Sequence, residues 1–378
     1  LKLKNRTLLV LVVFAMLAAA CGTSATTTTA APATTAATTT TAATGTTTET
    51  TAPAETTTTA GMMGEGITVG MAYDIGGRGD KSFNDSAAAG LDKAVTDFGI
   101  ATQELEPSSG GENREENLRL LSEAGLPLVF AIGFAFADGV TATAPDYPDT
   151  EYAIVDSVVD LPNVASLTFA EEQGSFLVGA AAALKSTTGK IGFVGGVEVD
   201  LIKKFEAGYE AGAKAVNPDI EIQVSYLTQP PDFSGFGDPA KGKEAALAMY
   251  QQGADVVYHA AGGSGTGVFQ AAKEYSESND THVWAIGVDS DQYLTAGADL
   301  QPYILTSMLK RVDVAVYSTI SDFVHGNFTP GVHVFDLKVD GVGYATSGGF
   351  IDDIVPTLED YKAKIISGDI VVPTTPSE

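Results

Sequence analysis

Five polar places in this chain stand directly behind short apolar, β-branched runs: Asp74, Asp138, Asp156, the glycine-rich segment 262–267, and Asp289. An ionised carboxylate accepts hydrogen bonds on both oxygens, and glycine lets backbone amides approach a ligand because no Cβ intervenes. These groups can bind a small polar molecule, whereas little in the chain points to catalysis. The run Gly262-Gly263-Ser264-Gly265-Thr266-Gly267 does not match G-x-G-x-x-G, the spacing that positions a pyrophosphate. There is no G-x-S-x-G nucleophile elbow, and no G-x-x-x-x-G-K-[ST] run that would mark an ATPase. His259, His282, His325 and His333 show no metal-ligand spacing, and the only cysteine is Cys21. One cysteine excludes an internal disulfide framework and a thiolate-rich metal site. No metal and no cofactor is called for, and an enzyme is the weakest reading.

The elements that carry these residues alternate. Strands are expected at 67–71, 128–132, 152–155, 190–194, 222–226, 255–258 and 283–288, each followed by a polar or glycine-rich turn and then a helical pattern. Leu91, Ala94, Val95 and Phe98 fall at i, i+3, i+4 and i+7, the spacing of one buried helix face. A second helix is expected at about 241–252, stopping at Gly253, where a left-handed cap suits glycine. Strands alternating with helices imply parallel sheets covered on both faces, with ligands gathering beyond the carboxyl ends of the strands. A series of about ten strands is long for one doubly wound sheet. Two similar lobes with a cleft between them fit better.

The chain has 378 residues, with 48 acidic against 21 basic side chains and a formal charge of −27. That acidity argues against nucleic acid as a partner, since nucleic-acid binders carry basic patches. At the N-terminus Lys2, Lys4 and Arg6 precede an apolar stretch at 8–20, which reads as a secretory signal covering 1–20. The segment Leu17-Ala18-Ala19-Ala20-Cys21-Gly22 resembles the lipobox of bacterial lipoproteins, with Ala18 departing from the usual leucine. The resemblance implies cleavage before Cys21, lipidation of its thiol, and a chain anchored outside the cytoplasmic membrane. Residues 21–65 then form a Thr- and Ala-rich tether: 21 of the 38 residues from 23 to 60 are threonine. Such a segment has almost nothing to bury and is expected to be disordered.

The segment Asp74-Ile75-Gly76-Gly77-Arg78-Gly79-Asp80-Lys81-Ser82-Phe83-Asn84 resembles the opening signature of the basic membrane protein family, purine-nucleoside-binding lipoproteins of ABC importers. Gly79 stands where that family usually has the first of two aspartates; Asp80 is kept. The likeness continues through Thr168-Phe169-Ala170-Glu171-Glu172, Ile191-Gly192-Phe193-Val194-Gly195-Gly196, Gly235-Phe236-Gly237-Asp238-Pro239, Ile286-Gly287-Val288-Asp289-Ser290-Asp291-Gln292 and Thr306-Ser307-Met308-Leu309-Lys310. It implies an α/β fold of the type I periplasmic-binding-protein class, two Rossmann-like lobes joined by a three-pass hinge. By that similarity one lobe takes about 66–165 plus 304–330, and the other 166–303 plus 331–378.

The resemblance also implies a site. The family sandwiches the purine between two phenylalanines, matched here by Phe83 and Phe236; base–aromatic stacking is worth roughly 1–3 kcal/mol per base. Asp289 matches the carboxylate that accepts from ribose hydroxyls, with Lys310 as companion cation and the Gly262 and Gly263 amides near the sugar. Asp74, Asn84 and Asp156 are left for the base edge and remaining hydroxyls. The expected partners are a purine nucleoside and the permease subunits of an ABC transporter. A sugar or signalling-molecule receptor on the same frame is the alternative, because sugar sites also use aromatic rings and carboxylates.

Overall fold

The computed structural model describes residues 62–377. The expected signal, the lipidated Cys21 and nearly all of the tether lie outside the described residues. The strands are β1 Thr68–Ala72, β2 Ala101–Leu105, β3 Leu128–Ala131, β4 Glu151–Val155, β5 Val164–Phe169, β6 Lys190–Val197, β7 Glu221–Thr228, β8 Val256–Ala260, β9 Trp284–Asp289, β10 Ile304–Lys310, β11 Gly331–Phe335 and β12 Val342–Tyr344. The helices are α1 Phe83–Phe98, α2 Arg114–Glu123, α3 Ala137–Thr143, α4 Glu171–Lys185 and α5 Asp200–Val216. They continue with α6 Pro239–Gln251, α7 Gly265–Asn279, α8 Gln292–Thr295, α9 Val312–Val324 and α10 Val355–Ser367.

Two six-stranded sheets result, ordered β2-β1-β3-β4-β5-β11 and β7-β6-β8-β9-β10-β12. Every pairing is parallel except β10 with β12. The same doubly wound order therefore occurs twice, each time with a sixth strand added at one edge. The chain passes between the sheets three times: from β5 into α4, from β10 into α9, and from β11 toward β12. Central strands are mostly apolar because helices cover both faces; β3, Leu-Val-Phe-Ala, is wholly buried.

The expected boundary at 165/166 cuts β5, which belongs wholly to the first sheet, and two further strands lie in the other sheet from the one those boundaries gave them. Ile304–Lys310 was placed with the first lobe but is the fifth strand of the second sheet, in register with β9. Residues 331–335 were placed with the second lobe but pair with β5 in the first sheet. The helix between them, α9, packs on α1 of the first lobe, as its expected placement required. The second and third passes are thus offset by one strand: β10 completes the winding of the second sheet before the chain leaves it, and β11 adds to the edge of the first sheet before the chain returns. On α1, Leu91 and Ala94 are fully buried, whereas Val95 is 37% exposed; the buried stripe runs instead through Ala87 and Ala88. Helix α6 ends at Gln251 and Gly253 takes the left-handed φ of +95°.

Candidate functional site

The carboxyl ends of the two sheets face each other across a cavity of about 590 Å³, counting its open mouth. Asp74, Phe83, Asn84, Asp156, Phe236, Gly262, Asp289 and Lys310 all line it; Gly263 is not among the lining residues.

Phe83 opens α1 from the first lobe. Its placement depends on Asp80, a buried carboxylate that caps the helix: Oδ1 accepts from the amides of Ser82 (2.9 Å) and Asp85 (3.1 Å), and Oδ2 from the Asn84 amide (2.9 Å). Burial raises the Asp80 pKa against these hydrogen bonds. The Asn84 side chain is largely committed to the same turn. Its Nδ2 donates to Asp80 Oδ2 at 3.0 Å, and its Oδ1 accepts from the Asp74 amide at 3.1 Å. Asp74 Oδ1 in turn accepts from Arg114 Nε (2.8 Å) and Nη2 (2.5 Å).

Phe236 comes from the second lobe, between β7 and α6. A Cβ at Gly196 of β6 would stand 2.5 Å from its ring, so glycine there lets the ring lie against the strand. Gly262 has φ +54°, and a Cβ would come 3.1 Å from the Phe236 carbonyl oxygen. Phe134, directly after β3, meets Phe236 edge-to-face at 6.4 Å and Phe233 at 5.9 Å.

Asp156 and Asp289 hold equivalent places, Asp156 just after β4 and Asp289 at the end of β9, and both adopt left-handed φ, +68° and +64°. Lys310 Nζ pairs with Asp156 Oδ2 at 2.5 Å and lies 3.7 Å from Glu171 Oε1. It makes no such close pair with Asp289, whose Oδ2 accepts from Ser82 Oγ at 2.5 Å. Burial lowers the Lys310 pKa, but Asp156, Glu171 and Asp289 outweigh it and the ammonium is held up. Burial also pushes Asp289 up to about 6 and Glu171 up to about 7, against the pull of Lys310. Asp156 Oδ1 is buried without a hydrogen-bond partner. A buried lone acceptor is costly, and a ligand hydroxyl or N–H would satisfy it.

Residues missed by sequence reasoning include Phe134, Phe205, Leu201 and Ile202, which line the cavity, and Glu171 and Arg114, which hold its charged groups. A search of strand ends for polar groups passes over Phe134, although Gly133-Phe134 sits in such a turn. Leu201, Ile202 and Phe205 carry only the signal of an amphipathic helix start.

Residues 67–376 match the family described as ABC transporter substrate-binding protein PnrA-like. The chain belongs to this basic membrane protein family. The binding protein is 39% identical to a CD4+ T-cell-stimulating antigen of Listeria monocytogenes, over 82% of this chain and 89% of that protein. It is 36% identical to the ABC transporter nucleoside-binding protein BmpA of Lactococcus lactis, over 84% and 92%. A crystallised ABC-transporter solute-binding protein of Aeropyrum pernix superposes with a TM-score of 0.70 at 32% identity, covering 81% of this chain and 94% of that one. The binding protein has the type I periplasmic-binding-protein fold, and its family consists of solute-binding proteins that work with transporter components. Among the described residues no helix is long and apolar enough to cross a membrane, and no cluster of His, Cys, Asp and Glu could hold a metal.

Proposed function

We propose that the protein binds purine nucleosides for an ABC importer, held outside the cytoplasmic membrane by lipid on Cys21. The observation that carries this reading is the lining of the cavity, with Phe83 from one lobe, Phe236 from the other, and Asp156, Asp289 and Lys310 at strand ends between them. Aromatic rings suit the π faces of a purine, and carboxylates accept charge-assisted hydrogen bonds from vicinal ribose hydroxyls. The Lactococcus relative, named as nucleoside-binding, supports the same ligand class. The lobes close on the nucleoside by hinge rotation at the three crossings, and the closed form docks on the permease.

In this reading Asp289 and Asp156 take the ribose, with Lys310 neutralising the carboxylates, while Asp74 and the Asn84 turn border the base edge and Gly262 and Gly263 admit the sugar. Thermal-shift and calorimetric titration with inosine, adenosine, guanosine, ribose and glucose tests it. Stabilisation by nucleosides and not by the sugars is expected. Stabilisation by ribose or glucose with no response to any nucleoside overturns it in favour of a sugar receptor.

A further inference from the structure

Beside the cavity, which Asp80 and Asp289 also line, two backbone corners of opposite lobes are tied together. Ser82 Oγ donates to Asp289 Oδ2 at 2.5 Å, Gln292 Nε2 to the Lys81 carbonyl at 2.9 Å, and Ser290 Oγ to the Ser82 carbonyl at 3.3 Å. Each corner is stiffened from within its own lobe. On the first, Asp80 Oδ1 accepts from the Ser82 amide at 2.9 Å and Asp85 Oδ2 from the Lys81 amide at 3.0 Å. On the second, Gln292 Oε1 accepts from the Val288 amide at 2.9 Å, and the Gln292 amide donates to Ser307 Oγ at 3.1 Å. Ser82 and Gln292 are almost fully buried.

From this geometry we infer that Ser82, Ser290 and Gln292 form an interlobe latch: positioning residues that do not touch the ligand but set how long the closed cleft persists. The three bonds join residues more than two hundred positions apart and exist only while the lobes are together. Rigid corners lose little conformational freedom when they meet, so the bonds count nearly in full toward closure. The Ser82 bond ends on Asp289, which also faces the cavity. The latch thus couples lobe closure to the carboxylate offered to the ligand: a hydroxyl of the protein occupies one oxygen and leaves the other for the guest. Opening must release that oxygen to water, so departure of ligand and rupture of the latch belong to one step.

The inference rests on the proposed closure around a nucleoside, and its test separates the two. Ser82→Ala and Ser290→Ala are made in the full chain carrying Cys21→Ser, with spin labels on Glu123→Cys of α2 and Glu277→Cys of α7, both exposed. The interlobe distance is measured without ligand, and inosine association and dissociation are followed by stopped flow. Loss of a hydrogen bond to a charged group predicts dissociation faster by about tenfold for Ser82→Ala. Association and the ligand-free unfolding midpoint stay close to wild type, and the label distribution shifts toward longer distances. Ser290→Ala shifts both readouts the same way by a smaller factor. Unchanged distances and unchanged dissociation in both variants overturn the latch, as does a lowered midpoint with no change in either. If wild type binds no nucleoside while Ser82→Ala still lengthens the distance, the latch stands and the nucleoside reading falls.

Discussion

Asp156 and Asp289 occupy the same place in two copies of one winding order, with the same left-handed backbone, and yet their surroundings differ. Asp156 has a cation in contact, Lys310, which crosses to it from the other lobe, and keeps one oxygen unpartnered. Asp289 has a neutral donor, Ser82, and burial raises its pKa to about 6. Equivalent backbone positions therefore present an acceptor paired with a cation on one wall and one bonded to a neutral hydroxyl on the other. A duplicated frame supplies where side chains point; the residues across the cleft decide which partners their oxygens take. The lobes also divide the apolar work, Phe83 and Phe134 coming from the first and Phe205 and Phe236 from the second.

The largest effect is expected at the ion pair that spans this difference. Lys310→Met leaves Asp156 and Glu171 buried beside an apolar chain, and breaking a buried pair costs about 3–5 kcal/mol. Urea unfolding at neutral pH measures it; a loss below about 1 kcal/mol would show that the carboxylates go neutral at little cost and that the charged wall is not needed.

Next come the two rings. Phe83→Ala and Phe236→Ala should each weaken nucleoside binding by roughly 1–3 kcal/mol, read by calorimetry, with the fold retained. A loss confined to one ring would mean that the base stacks on a single lobe. Asp289 is expected to respond to pH. As pH falls through about 6, Asp289 takes a proton and ceases to be a charged acceptor, so nucleoside affinity should decline there. Asp289→Asn should remove that decline, and Asp156→Asn should weaken binding but keep it. Identical profiles in both variants would erase the distinction drawn above.

The smallest effect concerns stability without ligand. Asp289 and Glu171 have folded pKa values of about 6 and about 7, above their ordinary 3.8 and 4.5. Between those values the folded state binds more protons than the unfolded one, so their contribution favours folding as pH drops from 7 toward 5. The melting midpoint should rise by a few degrees over that window, and less so in the Glu171→Gln, Asp289→Asn double variant. A midpoint that falls by the same amount in both proteins would contradict the sign.

Much of the frame was legible along the chain. Strands buried on both faces, such as β3 and β8, write themselves as apolar runs, and Asp74, Asp156 and Asp289 at strand ends line the cavity. Strand β2, Ala-Thr-Gln-Glu-Leu, was not legible: it lies at a sheet edge, half exposed, and needs no apolar run. Residues 304–310 and 331–335 were assigned to lobes by family similarity and not expected as strands, and nothing local in them says which sheet receives them. Asn84 was expected to offer its amide to the base, whereas its side chain is bound into the Asp80 turn, a matter of three-dimensional neighbours.

The amino-acid order by itself determined the alternation of strands and helices, the family signature, and the positions Asp74, Asp156 and Asp289 at strand ends. Periodicity, composition and turn chemistry are properties of neighbours along the chain, and a linear reading captures them. Only the tertiary structure decided that Lys310 meets Asp156 and Glu171 rather than Asp289, that Ser82 reaches Asp289, and that Phe134 and Phe205 share the cavity. Those contacts join residues brought together by two sheets closing on one gap. Charge state and hydrogen-bond choice follow from burial and distance, which exist only after the chain has folded.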